Sequence, residues 1–251
     1  MSRLSELVSA FGLLTRLPVA RIVPGTDHAD AGSSVWAYPL VGVVVGLIGG
    51  FAYWLLASIG VTPLVAGAVA LGAMVLATGG LHEDGLADTA DGFGGGATRE
   101  AKLEIMRDSR IGSYGVIALV LVFALRLGAI SALAGTGAVL GALVASAALS
   151  RGGMGLFMRL IDPARTDGLS AGVGSPDGSA AAEAAAIAIL IAFLVLAPGA
   201  AILAIIFAGL AAITVGVLAI RQIGGQTGDV VGAAGIAAEC AALTAIVAIA
   251  A

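Results

Sequence analysis

Charge is what this sequence is short of. Only 11% of its 251 residues are Asp, Glu, Lys or Arg, against about 25% in ordinary soluble proteins. The chain therefore cannot coat a folded domain with a water-facing surface. Disorder is excluded as well, because it needs low hydrophobicity and high charge. Twelve basic residues and a net charge of −4 leave no polybasic footprint for nucleic acid. The one cysteine, Cys240, cannot close an internal disulfide and reads as a small core residue within an apolar run. Two Trp, three Tyr and seven Phe are too few for aromatic stacking sites to be assigned. A cleavable leader is not expected either: the apolar stretch Leu7–Leu14 is short, lacks an A-x-A site and runs into Thr15, Arg16 and Pro18.

Apolar residues make up 59% of the chain, with a mean hydropathy of +1.08 and 38 glycines. Lipid is the solvent such a composition demands. At about 20 residues per crossing, the expected fold is all-α: one integral-membrane domain over residues 1–251, a polytopic transmembrane helix bundle of six or seven crossings. Apolar stretches lie at about Val35–Ile59, Val61–Ala77, Tyr114–Ala134, Gly137–Leu149, Ala184–Ala197, Ala200–Ile220 and Val230–Ala250. No ten-residue alternating pattern of a membrane barrel is seen. Gly42, Gly46 and Gly50, four apart in the first stretch, form a small-residue stripe that reads as tight packing rather than dimerisation.

The connections alternate between two kinds. Long polar ones cover the N-terminus to Ser34 and residues 79–113, 150–183 and 221–229; tiny uncharged ones lie near Gly60, Gly135–Thr136 and Pro198–Gly199. Arg3, Arg16, Arg21, Arg99, Lys102, Arg107, Arg110, Arg151, Arg159, Arg165 and Arg221 all fall in the polar set, so the positive-inside rule makes that face cytoplasmic. Arg126 in the third stretch and Glu239 in the seventh sit at similar depth. Isolated charges in lipid are expensive, so the two either pair with each other or find separate waters or carbonyls.

The informative segment reads GGLHEDGLADTADGFGGG from Gly79 to Gly96. Asp84, Asp88 and Asp91, spaced i, i+4, i+7, share one helix face, with Glu83 about 100° away. Three like charges on one stripe call for a neutralising partner. With Asp as the ligand type, a hard cation such as Mg²⁺ fits best, held jointly by carboxylates and substrate phosphates. His82 reads as a polar interface residue rather than a ligand. Leu103, Ile105 and Met106 make Arg99–Ser113 a candidate interfacial helix, ending in the cluster Arg107, Asp108, Ser109 and Arg110. Arginines beside such a site suit a diphosphate clamp. The glycine-rich Gly224–Asp229 loop, with Gln226, Thr227 and Asp229, is a candidate for bringing backbone N–H groups to a phosphate. The segment holding Arg151, Arg159, Asp162 and Arg165 contains Gly168–Ser179, a lid or a connector.

Taken together, TRLP at Thr15–Pro18, YPLVG at Tyr38–Gly42, GGLHEDGLADTADGFGG at Gly79–Gly95, EIMRDSRIGSYG at Glu104–Gly115 and GGQTGD at Gly224–Asp229 resemble the bacterial cobalamin synthase family, the adenosylcobinamide-GDP ribazoletransferases. The match runs in order along most of the chain. The resemblance implies a multi-pass enzyme of the cell inner membrane with its active face cytoplasmic. Such an enzyme joins adenosylcobinamide-GDP to α-ribazole, or its 5′-phosphate, with Mg²⁺ and release of GMP. It assigns Asp84, Asp88 and Asp91 to metal and diphosphate handling and adds Glu83, where relatives often carry an apolar residue. On this reading Arg107 and Arg110 offset charge on the departing GMP, and Glu83 or Asp108 takes the proton of the attacking hydroxyl. Gly94–Gly96 follows the family pattern of a flexible turn. Oligomeric state is left open. The rival readings are a membrane prenyltransferase, an alcohol phosphotransferase, and a cation or cobinamide transporter; the last would spread ionisable groups through several crossings.

Overall fold

The computed structural model describes residues 2–19, 31–133, 135–166 and 173–250; Arg21 and residues 168–172 of the expected lid lie outside the described residues. Among the described residues ten helices follow in order: α1 (Arg3–Leu14), α2 (Tyr38–Ser58) after a 3-10 turn at Val35–Ala37, α3 (Pro63–Thr78), α4 (Leu81–Gly95), α5 (Arg99–Ile105), α6 (Ser113–Ala132), α7 (Thr136–Leu160), α8 (Gly178–Val195), α9 (Pro198–Ile223) and α10 (Gly228–Ala250). Among the described residues there is no strand, only an isolated bridge between Pro163 and Gln226. Helices are the expected solution where lipid offers backbone groups no partners. Prolines fall in the first turn of α2, α3 and α9, where the missing N–H is harmless.

Helices α2, α6, α7, α8, α9 and α10 are each long and apolar enough to cross a membrane. Helix α3, 16 residues long and so about 24 Å, meets that condition only together with α4, as one bent pair. The chain then turns by 91° into α4. Gly79 (φ 69°) and Gly80 (φ 71°) make that turn, a pair of left-handed positions that side chains resist.

Helices α7 and α10 form the centre, with 83% and 78% of their spanning windows buried. The outer helices turn residues such as Val120, Leu121, Leu125, Leu194 and Ile213 outward, as lipid-facing surfaces do. The stripe on α2 packs inside the chain: a Cβ at Gly42 would lie 2.4 Å from the Ala147 carbonyl oxygen of α7, and one at Gly46 2.6 Å from the Val144 Cα. It is an intrachain contact, as the sequence reading had it.

Two expected boundaries are corrected. Residues 150–160 continue α7 instead of opening a loop, because Ser150 and Gly152 are packing positions. The Ser150 hydroxyl donates to the Gly235 carbonyl at 2.8 Å, and a Cβ at Gly152 would meet the Ala188 Cβ at 2.5 Å. Arg221 belongs to α9, while residues 79–113 carry the two helices read there, α4 and α5. Polar segments nevertheless meet at one end of the bundle. Arg3 pairs with Glu183 at 3.0 Å, the Arg16 N–H donates to the Ala77 carbonyl at 2.8 Å, and Arg99 donates to the carbonyls of Ile223 and Ala164, each at 2.7 Å.

Candidate active site

Helix α4 begins without a side-chain cap, and Glu83 and Asp84 in its first turn suit the positive end of the helix dipole. The bend at Gly79–Gly80 sets its direction, and glycines let it press against its neighbours. A Cβ at Gly85 would lie 2.8 Å from the Asp229 carbonyl oxygen, and one at Gly232 3.3 Å from the His82 Cα. So α4 crosses the first turn of α10 almost backbone to backbone. That crossing gathers an acidic edge. Asp84 is exposed and Asp88 half-buried, and Asp88 lies in the field of Asp84, Asp229 and Asp91, opposed by Arg165. Arg165 reaches Asp229 at 3.3 Å.

Asp91 takes a different role from the one its spacing implied. Its two carboxylate oxygens accept the Gly112 N–H at 2.7 Å and the Gly115 N–H at 2.9 Å. It thereby caps α6, whose own N-cap residue, Gly112, supplies no side chain. The glycines are required: a Cβ at either position would lie 2.4 Å from an Asp91 oxygen. Asp84 and Asp91 do share a helical stripe, but α4 runs past α10 at its start and past α6 at its end, so one stripe meets two environments. Among the described residues, no three His, Cys, Asp or Glu side chains are grouped closely enough to hold an ion by themselves.

Glu83 is drawn into the interior. Arg126 bridges it at 3.0 Å and Glu239 at 2.5 Å, and Arg151 joins Glu239 at 3.3 Å. Arg126 and Glu239, which the sequence left either paired or separate, do pair, within a set of four alternating charges, all buried. Buried charges persist only when paired and hydrogen-bonded. Glu83 is thus poorly placed as a general base, and the deep charges form a closed cluster rather than an ion path. Arg151, expected in a polar loop, is 3% exposed. Its place was readable, since Ala147, Arg151 and Gly155 recur every four residues along a buried stripe of α7.

The second base candidate fares no better. Asp108 receives Arg110 through both oxygens, at 3.1 and 2.6 Å, and accepts the Arg110 backbone N–H at 3.0 Å. These hydrogen bonds hold its carboxyl down at about 2, which makes it a weak proton acceptor. Arg107 and Arg110 are exposed at the polar end.

The Gly224–Asp229 loop is chiefly structural. Gly224 (φ 78°) ends α9, and a Cβ at Gly225 would lie 2.3 Å from the Asp162 carbonyl oxygen. Buried Gln226 exchanges backbone hydrogen bonds with Asp162 and Ala164, at 2.9 and 2.7 Å. The Thr227 hydroxyl accepts the Val230 N–H at 3.3 Å and donates to Asp229 at 3.1 Å. Of the three loop residues, Asp229 is the one that joins the acidic edge. Gly94 and Gly96 also pack closely, against the Tyr114 ring and Lys102, so Gly94–Gly96 is a tight joint rather than a flexible turn. The sequence reading missed the pairing of Arg165 with Asp229, which depends on a two-residue backbone bridge with no periodic signature.

Fold and site together define an integral-membrane enzyme whose acids and arginines collect at one end of a helix bundle. Residues 6–247 match the family model of cobalamin-5-phosphate synthase. The chain is similar to the adenosylcobinamide-GDP ribazoletransferase of Bradyrhizobium diazoefficiens, 49% identical over 92% of this chain and 88% of that protein. It is also similar to the proteins of that name from Mesorhizobium japonicum, 45% identical over 96% and 92%, and Rhizobium etli, 41% over 96% and 95%. No solved structure matches. The chain belongs to the cobalamin-5-phosphate synthase family, a family of transferases in cobalamin biosynthesis.

Proposed function

We propose that this chain joins adenosylcobinamide-GDP to α-ribazole, or to α-ribazole 5′-phosphate, releasing GMP at the cytoplasmic face of the cell inner membrane. The observation that carries the reading is the convergence of Asp84, Asp88 and Asp229 beside Arg165, at the bundle end where Arg107 and Arg110 stand. The concentration of basic residues at that end supports the cytoplasmic orientation.

Mg²⁺ fits this donor set. Hard carboxylate oxygens suit it, and it is commonly held by one or two carboxylates together with substrate phosphates and waters. Asp84 and Asp88 would hold it, in place of the three-aspartate set that includes Asp91. When bound, Mg²⁺ supplies charge neutralisation on the diphosphate. In the transfer, a ribose hydroxyl of the nucleoside forms a new O–P bond at the phosphorus carried by the aminopropanol arm. The bridging P–O bond to GMP breaks, and GMP departs with the bonding pair. Arg107 and Arg110, exposed at the same end, offset charge on the leaving nucleotide. The hydroxyl proton passes to an acid of the edge rather than to Glu83 or Asp108, which are occupied by arginines. The closed charge cluster gives no support to a transport path.

The test is turnover by detergent-purified protein supplied with adenosylcobinamide-GDP and α-ribazole, with Mg²⁺ or with EDTA. GMP and the joined corrinoid should form one for one and only with the metal. Release of pyrophosphate or CMP from the corresponding prenyl or CDP-alcohol substrates would favour the rival transferases instead.

A further inference from the structure

The ends of α1, α2, α4, α7 and α10 enclose a cavity of about 140 Å³. We propose that it is the subsite for the aromatic base of the acceptor nucleoside; this rests on the function proposed above. The walls are apolar, with Leu14, Met154, Met158 and Val231 among the lining residues. An apolar space near 150 Å³ is enough for an aromatic ring; this one opens at its acidic rim, and its size suits a small ring system and excludes the corrin.

Two lining groups point to a ligand. His82 is 3% exposed and Tyr38 2% exposed. The His82 Nε2 makes no hydrogen bond among the described residues, and the Tyr38 hydroxyl has only Ser34 beside it. A buried polar atom without a partner is costly and rare, and the His82 Nε2 is one, at an apolar cavity that the Tyr38 side chain also lines. A guanine base, polar along most of its edge, would leave donors and acceptors unmet against these walls. A benzimidazole joined to ribose has one ring nitrogen to receive a hydrogen bond, from His82 or from Tyr38, and otherwise apolar edges that suit the rest of the shell.

The rim locates the chemistry. Asp84 and Asp229 both line this cavity, so a base seated inside brings its ribose to the acidic edge. Asp84 also lines a second, larger and more open cavity on the other flank of α4, with Arg16 and the Gly79–Gly80 bend. The two reactants thus have separate approaches to one carboxylate.

The test varies each substrate in turn with purified wild type, Tyr38→Phe, His82→Leu and Met158→Trp. KM for α-ribazole should rise about tenfold in each, the loss expected when a buried hydrogen bond or the cavity itself is removed, while KM for adenosylcobinamide-GDP stays at its wild-type value. Free 5,6-dimethylbenzimidazole should compete with α-ribazole in wild type and fail to compete in Met158→Trp. Should His82→Leu or Met158→Trp fail to fold, Tyr38→Phe, which removes a single oxygen, keeps the readout. An unchanged α-ribazole KM in the folded variants overturns the subsite. A wild-type protein that binds both substrates without turnover contradicts the proposed function instead; calorimetric binding of the free base, present in wild type and lost in Tyr38→Phe, then supports the subsite, and equal binding by both overturns it.

Discussion

Replacing Arg126 with Met should be the most damaging single change in the interior. Its guanidinium is the one group that touches both Glu83 and Glu239, at 3.0 and 2.5 Å. Without it, Glu83 loses its cation and Glu239 keeps only Arg151 at 3.3 Å. Removing one partner of a buried pair costs about 3–5 kcal/mol. For a chain of this length each kcal/mol moves the unfolding midpoint by roughly 2–4 °C, so the midpoint should fall by about 10 °C. Cys240 provides the assay: it is the only cysteine in the sequence, it is buried, and it follows Glu239 directly. Labelling by a thiol-reactive fluorophore during heating therefore reports opening of this cluster. Adding Glu239→Gln to Arg126→Met should recover part of the loss, with a coupling of about 1–3 kcal/mol, as for residues in direct contact. Additive losses in the double-mutant cycle would refute the cluster as a cooperative unit.

Other expectations follow from the same geometry. Asp91→Ala should cost about 1–2 kcal/mol, the value of a lost helix cap, and lower the midpoint without altering the Mg²⁺ concentration for half-maximal activity. Gly112→Ala should destabilise in the same way, because its new Cβ would meet an Asp91 oxygen at 2.4 Å; a wild-type midpoint would contradict the packing. Asp108, held at about 2 by Arg110, lies below the ordinary carboxylate value of about 3.9. Its favourable contribution is therefore complete at neutral pH and fades only as pH falls from about 4 towards 2. Asp108→Asn should leave the pH profile of turnover between pH 5 and 9 unchanged, and loss of an acidic limb would restore Asp108 as a base.

Much of the architecture was legible because lipid imposes so simple a rule. Apolar windows near 20 residues located the crossings, and the segregation of basic residues gave their alternation. Equal depth along two helices made a pair of Arg126 with Glu239 one of two readings, and the structure decides for it. The extension of that pair was not legible. Glu83 reaches Arg126 only because two left-handed glycines swing α4 across the bundle, and a sequence does not state the direction of a bend. The i, i+4, i+7 spacing correctly put Asp84, Asp88 and Asp91 on one stripe of a helix. It could not say that the far end of the stripe meets the uncapped N-terminus of α6, which claims Asp91. Nor could periodicity bring in Asp229, which arrives through the close approach of Gly85 to the first turn of α10. Single glycines such as Gly85, Gly112 and Gly225 thus carry site information as places where backbones touch, which hydropathy overlooks.

The most direct measurement of the central claim compares GMP release by Asp84→Asn, Asp88→Asn, Asp229→Asn and Asp91→Asn, each purified and shown to melt as a folded protein. Rates should collapse by about a hundredfold or more, the scale of a lost group acting on developing charge, for Asp84, Asp88 and Asp229, and far less for Asp91. Near-wild-type release by the Asp229 variant, with collapse of a well-folded Asp91 variant, would contradict the account.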